Sequence, residues 1–446
     1  MIRWIGCNMR RNIQNNLINS RQARLVAVLL LALTVLLSAC DVQNPPRQST
    51  PTPSSTVKAV LNEAYTPEPS PLPATATPTA TFTATLPPTA TPTAKTITSQ
   101  ALPITHVQLE PPHYAWGRDL QQRRVFRSSD SGTTWKEVTP AEVSGGDYYS
   151  GSIVFLGANE AWLLVSKPDQ TSALFHTSNA GALWDRSDLP FAGGQMSFIR
   201  SEGSAEANGI ILADLGVGAG SQWVAVYASS DSGKTWTQTI THTPGEADSS
   251  LPAGGIKSSM TYDGANDLWI TGSMPIDNFL YLYHSTDLGK TWSAQTCEIQ
   301  PIAETVMYET YKPFWVSPEQ GFLPIRVFYG SSEMKTVYCH TLNHGVSWEF
   351  LSILEEVNIQ YFFDSTHGWV GSSSRLLRTI DGGHTWEDLS AAIPVGESIV
   401  SFTFGTVEIG VLITNPSNFE NIEENKLYLS INGGSSWSLL PTSLLP

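Results

Sequence analysis

The segment Ser128-Ser129-Asp130-Ser131-Gly132-Thr133-Thr134-Trp135 recurs along the chain, and this repeat decides the fold. Seven copies fit the pattern Ser/Thr-x-Asp/Asn-x-Gly-x-x-Trp, and the Trp residues follow one another at intervals of 49, 52, 56, 56, 38 and 51 residues. A regular period of this length is the mark of a repeat architecture. The residues that close the seven copies are Trp135, Trp184, Trp236, Trp292, Trp348, Trp386 and Trp437.

The pattern describes a turn between two strands. An Asp or Asn side chain accepts backbone N–H bonds and fixes the turn, and Gly two positions later tolerates a positive φ. Because Asp and Asn exchange within one chain, the position needs an acceptor oxygen rather than a charge, which favours a structural role over catalysis or metal binding. The capping residues are Asp130, Asn179, Asp231, Asp287, Asn343, Asp381 and Asn432.

A second pattern precedes most copies by about 15–30 residues. It has the form of Ala161-Trp162-Leu163 or Gly368-Trp369-Val370, with an apolar stretch such as Ile153-Val154-Phe155 before it. Each repeat therefore predicts four short strands, and the 38-residue repeat leaves no room for a helix. Four strands in each unit of 40–50 residues are typical of a β-propeller, so we expect an all-β fold with seven antiparallel blades.

The eight-residue pattern resembles the Asp-box, or BNR repeat, of sialidases, sortilin-type receptors, xyloglucan-cleaving enzymes and photosystem II assembly factors. Gly368-Trp369-Val370-Gly371, followed by Thr379-Ile380-Asp381-Gly382-Gly383-His384-Thr385-Trp386, is most similar to the last of these families. The resemblance covers nearly all of residues 104–446. It implies a sialidase-like propeller whose boxes lie on the outer rim, away from the ligand face, but a fold of this kind supports many functions.

The N-terminus has the pattern of an export signal. A basic stretch is followed by an apolar run from Leu25 to Ala39, and Leu37-Ser38-Ala39-Cys40 closes it. This ending resembles the lipobox of bacterial lipoproteins, in which the Cys is acylated and becomes the first mature residue; an uncleaved membrane anchor is the alternative. We expect a signal peptide at residues 1–39 and a lipid on Cys40, on the outer side of the bacterial cytoplasmic membrane or on the cell surface.

Residues 40–103 are rich in Pro and Thr and contain few large apolar side chains. Such a segment cannot offset its ordering entropy by burial, so it predicts a disordered, extended tether. The expected domain order is therefore signal peptide, lipidated tether and, at residues 104–446, the propeller.

The charge balance excludes one class of partner. Five of the 25 Lys and Arg residues lie in the first 39 positions, which contain no acid, so the remainder has 20 basic residues against 40 acidic ones. A surface this acidic argues against binding a nucleic acid backbone. The lipid is the expected contact with the membrane.

Catalysis has weak support in the sequence. Resemblance to sialidases requires an arginine triad, and Arg118, Arg200 and Arg326 lie near strand ends of alternate blades, although no Arg-Ile-Pro motif precedes the first box. His340 and His344 flank a turn rather than sharing a helix face, so they do not have metal-ligand spacing. We expect no cofactor and no metal, and an exo-acting glycoside hydrolase of sialidase type is the alternative function.

We therefore expect a surface-tethered binding or assembly scaffold that recognises a protein or a glycan. Variable loops on the face opposite the boxes are the expected site, because binding usually resides in loops on a rigid scaffold. Candidate ligand-face residues there are Arg326, Tyr329, Phe419 and Glu420. The sequence leaves open the ligand, the oligomeric state and how the first and last blades join.

Two cysteines, Cys297 and Cys339, remain once Cys7 leaves with the signal peptide and Cys40 is acylated. They are predicted in the outer strand of blade 4 and the third strand of blade 5. In an exported protein they either form a disulfide or remain as two buried thiols, and the sequence does not decide between these alternatives.

Overall fold

The computed structural model describes residues 102–446, except 219, 242–249, 264–266, 300–304, 330–332, 356, 417, 418, 420, 422, 423 and 446. The predicted signal peptide, Cys40 and nearly all of the predicted tether lie outside these residues. The described part is almost entirely β-structure.

The strands form seven antiparallel units of four, which we call blades 1 to 7. Blade 1 consists of β1 (His106–Glu110), β2 (Tyr114–Arg118), β3 (Val125–Ser128) and β4 (Thr134–Glu137), and blade 2 of β5 (Tyr149–Leu156), β6 (Glu160–Ser166), β7 (Ser172–Thr177) and β8 (Asp185–Leu189). Blade 3 consists of β9 (Gln195–Ile199), β10 (Asn208–Gly218), β11 (Ser221–Ser229) and β12 (Thr237–Thr241), and blade 4 of β13 (Ile256–Tyr262), β14 (Leu268–Ser273), β15 (Leu282–Ser285) and β16 (Ser293–Ala294).

Blade 5 consists of β17 (Thr305–Thr310), β19 (Gly321–Tyr329), β20 (Glu333–Thr341) and β21 (Glu349–Glu355), and a short β18 (Phe314–Trp315) pairs with β19. Blade 6 consists of β22 (Ile359–Phe362), β23 (Gly368–Gly371), β24 (Leu376–Thr379) and β25 (Glu387–Asp388). Blade 7 consists of β26 (Ser398–Phe404), β27 (Gly410–Asn415), β28 (Lys426–Ser430) and β29 (Ser438–Leu439). A single residue pair, Ser273 with Glu309, connects the sheets of blades 4 and 5.

Strand direction assigns every loop to one of two faces. The first and third turns of a blade lie at one end of its antiparallel strands, and the second turn and the connection to the next blade lie at the other. All seven Asp-boxes are third turns, so we call the first the box face and the second the loop face. The predicted class, an all-β propeller of four-stranded antiparallel units, is confirmed.

Seven buried apolar clusters join the blades in sequence order. Each one combines side chains from two neighbouring blades, as Trp162 of blade 2 does with Met196 of blade 3. The remaining clusters connect blades 3 and 4, 4 and 5, 5 and 6, 6 and 7, 1 and 2, and 7 and 1. The blades therefore form a closed ring, in which burial of apolar area at every interface supplies the main stabilising term.

The ends of the propeller close the ring. Leu102 and Ile104 are fully buried with Val411 and Ile413 of blade 7, so the folded part begins earlier than the predicted residue 104. Across the same interface the Ser401 hydroxyl donates to the carbonyl of Thr105 at 2.8 Å. The last strand, β30 (Ser443–Leu445), pairs in parallel with β4 and adds a fifth strand to blade 1.

Two helical segments of the described residues lie in connections between blades on the loop face. Residues Ala141–Gly145 form α1 between blades 1 and 2, and residues Ser390–Ala392 form a 3₁₀ turn between blades 6 and 7. Both lie between repeats, so the count of four strands within each repeat did not predict them. No helix in the described part of the chain has the length and hydropathy needed to cross a membrane.

Candidate functional site

The loop face presents an exposed, large apolar side chain from a loop or strand end of each blade. Val395, between blades 6 and 7, is fully exposed, and the others are between 46% and 63% exposed. Because binding usually resides in loops on a scaffold, these side chains are the candidates for contact with another macromolecule. The residues are Leu120, Tyr149, Val217, Ile276, Met334, Val395 and Phe419.

The long loop of blade 7 is held by two buried amides. Asn415 Nδ2 donates to the carbonyl of Asn421 and to Asn425 Oδ1, and Asn425 Nδ2 donates to the carbonyl of Ile104. Asn415 Oδ1 accepts the Phe419 backbone N–H at 2.9 Å, and Phe419 has a φ of +70°. The Phe419 backbone is thus bonded to an amide that connects blade 7, through Asn425, to blade 1.

The other predicted ligand-face residues have mixed outcomes. Arg326 Nη1 lies 3.2 Å from Glu309 Oε2, and its guanidinium lies over the Tyr311 ring at 5.0 Å, so this cation is already paired within blade 5. Tyr329 is the last residue of β19, at the loop-face end of that strand. Glu420 lies outside the described residues.

A histidine and an arginine lie where β1 begins and β2 ends. His106 and Arg118 are partners in the β1–β2 register. Desolvation lowers the pKa of Arg118, and desolvation together with the Arg118 charge lowers the pKa of His106, although the His106 side chain keeps exposed surface. His106 is therefore neutral at neutral pH, and Arg118 carries the charge at this position of the loop face.

The three arginines of the glycosidase alternative do not come together. Arg200 follows β9 on the box face and forms an ion pair with Glu160 of blade 2. Arg118 lies at the opposite, loop-face end of β2, and Arg326 is paired with Glu309. Because strand direction separates Arg200 from the other two, these residues do not form the triad that a sialidase site requires.

The Asp-boxes share one hydrogen-bond scheme. In the first box Ser128 Oγ donates to Asp130 Oδ1, which also accepts the Thr134 N–H at 2.8 Å, while Thr134 Oγ1 donates to Asp130 Oδ2 at 2.7 Å. The Gly132 N–H donates to Ser128 Oγ at 2.9 Å, and Trp135 Nε1 donates to the Gly132 carbonyl. The carboxylate therefore acts as a turn cap.

The three boxes with Asn keep the backbone bonds of the cap, but their Trp Nε1 does not donate to the box Gly carbonyl, and two of them keep a hydroxyl four residues after the cap. Asn343 Oδ1 accepts the Ser347 N–H at 3.0 Å, and Asn343 Nδ2 donates to Ser347 Oγ at 2.9 Å. Asn432 makes the same two bonds with Ser436. The hydroxyl four residues after the cap reverses its role, so either side chain completes the turn.

The box Trp rings differ in their burial. Trp135, Trp292 and Trp348 are buried, whereas the other four are half-buried. The half-buried rings still make contacts across blades, as Trp184 Nε1 does by donating to the carbonyl of Val138 at 2.7 Å.

The second-strand Trp residues contact the box turn of the next blade. Trp162 Nε1 donates to the carbonyl of Ser232, and Trp369 Nε1 donates to that of Gly433, each at 2.9 Å. On the other side of these rings lies a residue that precedes the box: His176 stacks on Trp162 at 4.7 Å and His284 on Trp269 at 4.3 Å. The sequence analysis missed this position, whose signal is a His or Arg directly before the box Ser or Thr.

Cys297 and Cys339 form a disulfide in the structure, with sulfurs 1.97 Å apart and Cα atoms 6.6 Å apart. Cys339 lies in the third strand of blade 5, as expected. Cys297 lies beyond the two-residue outer strand of blade 4 rather than in it, and forms an isolated bridge with Trp348. The bond joins blade 4 to blade 5.

These features define the class of protein: an Asp-box β-propeller with ordered, partly apolar loops on the face opposite the boxes. A family model described as the photosynthesis system II assembly factor YCF48 matches residues 117–256. The predicted resemblance to Asp-box propellers of the photosystem II assembly-factor type is thereby confirmed.

Individual relatives are similar at low identity. The chloroplastic photosystem II stability/assembly factor HCF136 of Oryza sativa subsp. japonica is 24% identical over an alignment of 330 residues that covers 68% of this chain and 74% of the relative. The protein of the same name from Arabidopsis thaliana is 24% identical over an alignment of 310 residues that covers 66% of this chain and 69% of the relative. A solved structure of YCF48 bound to D1 peptide is 19% identical and covers 75% of this chain and 95% of its own, with a TM-score of 0.49.

Proposed function

We propose that this chain is a lipid-tethered extracytoplasmic scaffold whose propeller binds a protein through the loop face. The observation that carries the proposal is the presence of an exposed apolar side chain on the loop face of each blade. The names of the curated relatives, stability/assembly factors, support a role in holding a protein partner during assembly.

The loop face suits a protein better than a small molecule. A cavity of about 350 Å³ on the loop face is open to solvent, and its lining includes Glu142, Asp147 and Lys167. A protein ligand, in contrast, buries scattered apolar side chains together and gains affinity from a few of them. A glycan remains the second candidate ligand.

The box face also carries exposed apolar side chains, and they supply a matched control. Ile380 and Ile431 occupy the same position of two box turns and are 65% and 71% exposed. Ile276 and Phe419 on the loop face are 52% and 46% exposed. Substitution at either pair adds charge at similar exposure with little effect on folding.

The test is capture of exported proteins from the source cells by the immobilised full chain. We expect the double variant Ile276→Asp/Phe419→Asp to lower capture at least tenfold, since two apolar anchors contribute about 1–2 kcal/mol each. Ile380→Asp/Ile431→Asp should leave capture unchanged. Equal loss in both variants contradicts use of the loop face, and binding that survives protease treatment of the extract but not periodate oxidation indicates a glycan.

The tether rests on Cys40 and is tested separately. We expect Cys40→Ala to remove the acyl mass and either release the protein from membranes or leave an unprocessed precursor. Mass spectrometry and membrane fractionation measure both effects. A variant with the same mass increment and the same membrane fraction as the wild type refutes the lipid anchor.

A further inference from the structure

A group of two carboxylates and two imidazoles lies on the box face between blades 4 and 5. Asp263 follows β13, Asp267 precedes β14, His284 is in β15 and His344 belongs to the box of blade 5. Ligand atoms of Asp263, Asp267 and His284 all lie within 4.8 Å of one another. The group is independent of the loop face and of the function proposed for it.

Three distances within the group are close to those between the ligands of one metal ion. His344 Nε2 lies 3.1 Å from Asp263 Oδ2 and 3.2 Å from Asp267 Oδ2. His284 Nε2 lies 3.1 Å from Asp267 Oδ2. Bonds of about 2.0 Å to a tetrahedral Zn²⁺ place its ligands about 3.3 Å apart. We propose that Asp263, Asp267, His284 and His344 bind one divalent transition-metal ion of the Zn²⁺ type, which joins blade 4 to blade 5.

A contact between His344 and a residue outside the group supports this assignment. Its Nδ1 lies 2.7 Å from the carbonyl oxygen of Pro318, which only accepts, so Nδ1 carries a hydrogen. In the neutral ring, Nε2 then directs a lone pair towards the oxygens of Asp263 and Asp267. A proton on Nε2 or a metal ion bound between these atoms satisfies this arrangement, and a backbone carbonyl on the remote nitrogen is how metal-binding imidazoles are commonly oriented.

Blade 2 shows the same arrangement with a permanent cation. Glu160 begins β6 as Asp267 precedes β14, His176 lies 2.9 Å from its carboxylate, and the neighbouring blade contributes the guanidinium of Arg200. A guanidinium balances a carboxylate but does not coordinate a metal. In blade 4 the neighbour contributes an imidazole instead, and Asp263 adds a second carboxylate whose side chain is fully buried.

The charge of the group favours a divalent ion. Two carboxylates with two neutral imidazoles carry two negative charges, which one divalent ion balances, and burial of a carboxylate is costly unless a cation accompanies it. Nitrogen and oxygen donors in equal number suit Zn²⁺ and its first-row neighbours better than Ca²⁺ or Mg²⁺, which take oxygen ligands.

Metal binding is measured on the full chain, with free thiols alkylated so that Cys7 and Cys40 do not compete. After chelation and dialysis, titration with ZnCl₂ in a calorimeter should show one equivalent bound, and Co²⁺ should give the intense visible absorption of a tetrahedral site. Zn²⁺ should raise the melting temperature, because a ligand that binds only the folded state stabilises it.

The variants separate this site from adventitious binding. His344→Gly introduces the residue that the boxes of blades 6 and 7 have at this position, Gly382 and Gly433, and should abolish the Zn²⁺ equivalent and the melting shift. Asp267→Asn should do the same without altering the box. His176→Ala, which removes the matching imidazole of blade 2, should retain both. Absence of a bound equivalent in the wild type, or its persistence in His344→Gly and Asp267→Asn, overturns the proposal and leaves protonation of His344 as the source of the balancing charge.

Discussion

The capping residue of a box and the residue four positions later vary together. A Thr lies four positions after each Asp cap, and its hydroxyl donates to the second carboxylate oxygen of Asp130, Asp231, Asp287 and Asp381. Asn343 and Asn432 are followed by Ser, whose hydroxyl accepts from the amide. These six boxes therefore combine one acceptor oxygen for the backbone with one further bond of either polarity, whereas the box of Asn179 has Leu183 at this position and makes only the backbone bond.

Asp287 is the residue at which we test this. Asp287→Ala removes the acceptors of the Thr291 N–H and hydroxyl, at 2.8 and 2.7 Å, and should lower the free energy of unfolding by about 1–2 kcal/mol. Asp287→Asn should cost much less, because the Thr291 hydroxyl can accept where it now donates. Denaturant titration compares the variants, and an Asn variant as unstable as the Ala variant shows that the box needs its charge.

The box carboxylates also predict acid sensitivity. Hydrogen bonds from the Thr385 hydroxyl and N–H lower the pKa of Asp381 from 3.8 to about 2. At Asp287 partial burial opposes the shift, but bonds from Thr291 and Ser285 outweigh it and also lower the pKa. A carboxylate with a lowered folded-state pKa contributes stability that is present above the unfolded pKa and is lost as pH falls through the folded value.

Unfolding free energy should therefore decrease between about pH 4 and pH 2. Replacing all four box Asp residues with Asn should flatten the decrease in this window, while a matched set of surface Asp→Asn changes should not. Denaturation curves at a series of pH values measure it. An identical decrease in the box variant shows that other carboxylates control acid unfolding.

At the scale of the element, each box is both a turn and a support for the preceding blade. Its Gly has a positive φ, and in five boxes the residue before that Gly has one too although it is not Gly, as at Ser131, Leu288 and His344. Gly345 is the tightest case, because a Cβ there would lie 2.3 Å from the Trp269 ring.

Gly345→Ala should destabilise the protein by about 3 kcal/mol or more, since it combines left-handed strain with overpacking against a buried ring. Gly157→Ala is the control, because Gly157 has a φ of +66° and nothing within 4 Å of a Cβ. It should cost only about 1–2 kcal/mol. Thermal and denaturant unfolding give both values, and equal costs would mean that contact with Trp269 is unimportant.

The elements were predictable from sequence where the signal is local. The box pattern located the turn between third and fourth strands, and Trp162, Trp269 and Trp369 marked the second strands. The positive φ of Leu288 and the two-residue β18 were not predictable, because neither the residue types nor the periodicity of the sequence indicates them. Neither was α1, which belongs to a connection and not to the repeat.

At the scale of the molecule, closure of the ring and assembly of the site depend on distant residues. Thr105 contacts Ser401 and Ile104 contacts Asn425, although nearly the whole propeller sequence lies between the two residues of each pair. A single sequence shows an apolar Val395 or Leu120 without showing that it is exposed. Phe419 and Arg326 were identified as candidates, but the pairing of Arg326 with Glu309 exists only in three dimensions.

The disulfide closes a segment of 42 residues that spans the boundary between blades 4 and 5. Cys297→Ser/Cys339→Ser should lower the free energy of unfolding by about 3–4 kcal/mol in the chain-entropy model. Thiol titration of the denatured, unreduced mature protein should detect neither cysteine. Two reactive thiols would refute the bond.

Protein binding by the loop face is the central claim, and site-specific photo-cross-linking in the source cells tests it most directly. A photoreactive amino acid at Val395, on the loop face, is compared with one at Val346, in the box turn of blade 5; both side chains are highly exposed. We predict a discrete protein adduct from position 395 and none from position 346. Adducts from position 346 alone, or equal adducts from both, would contradict the account.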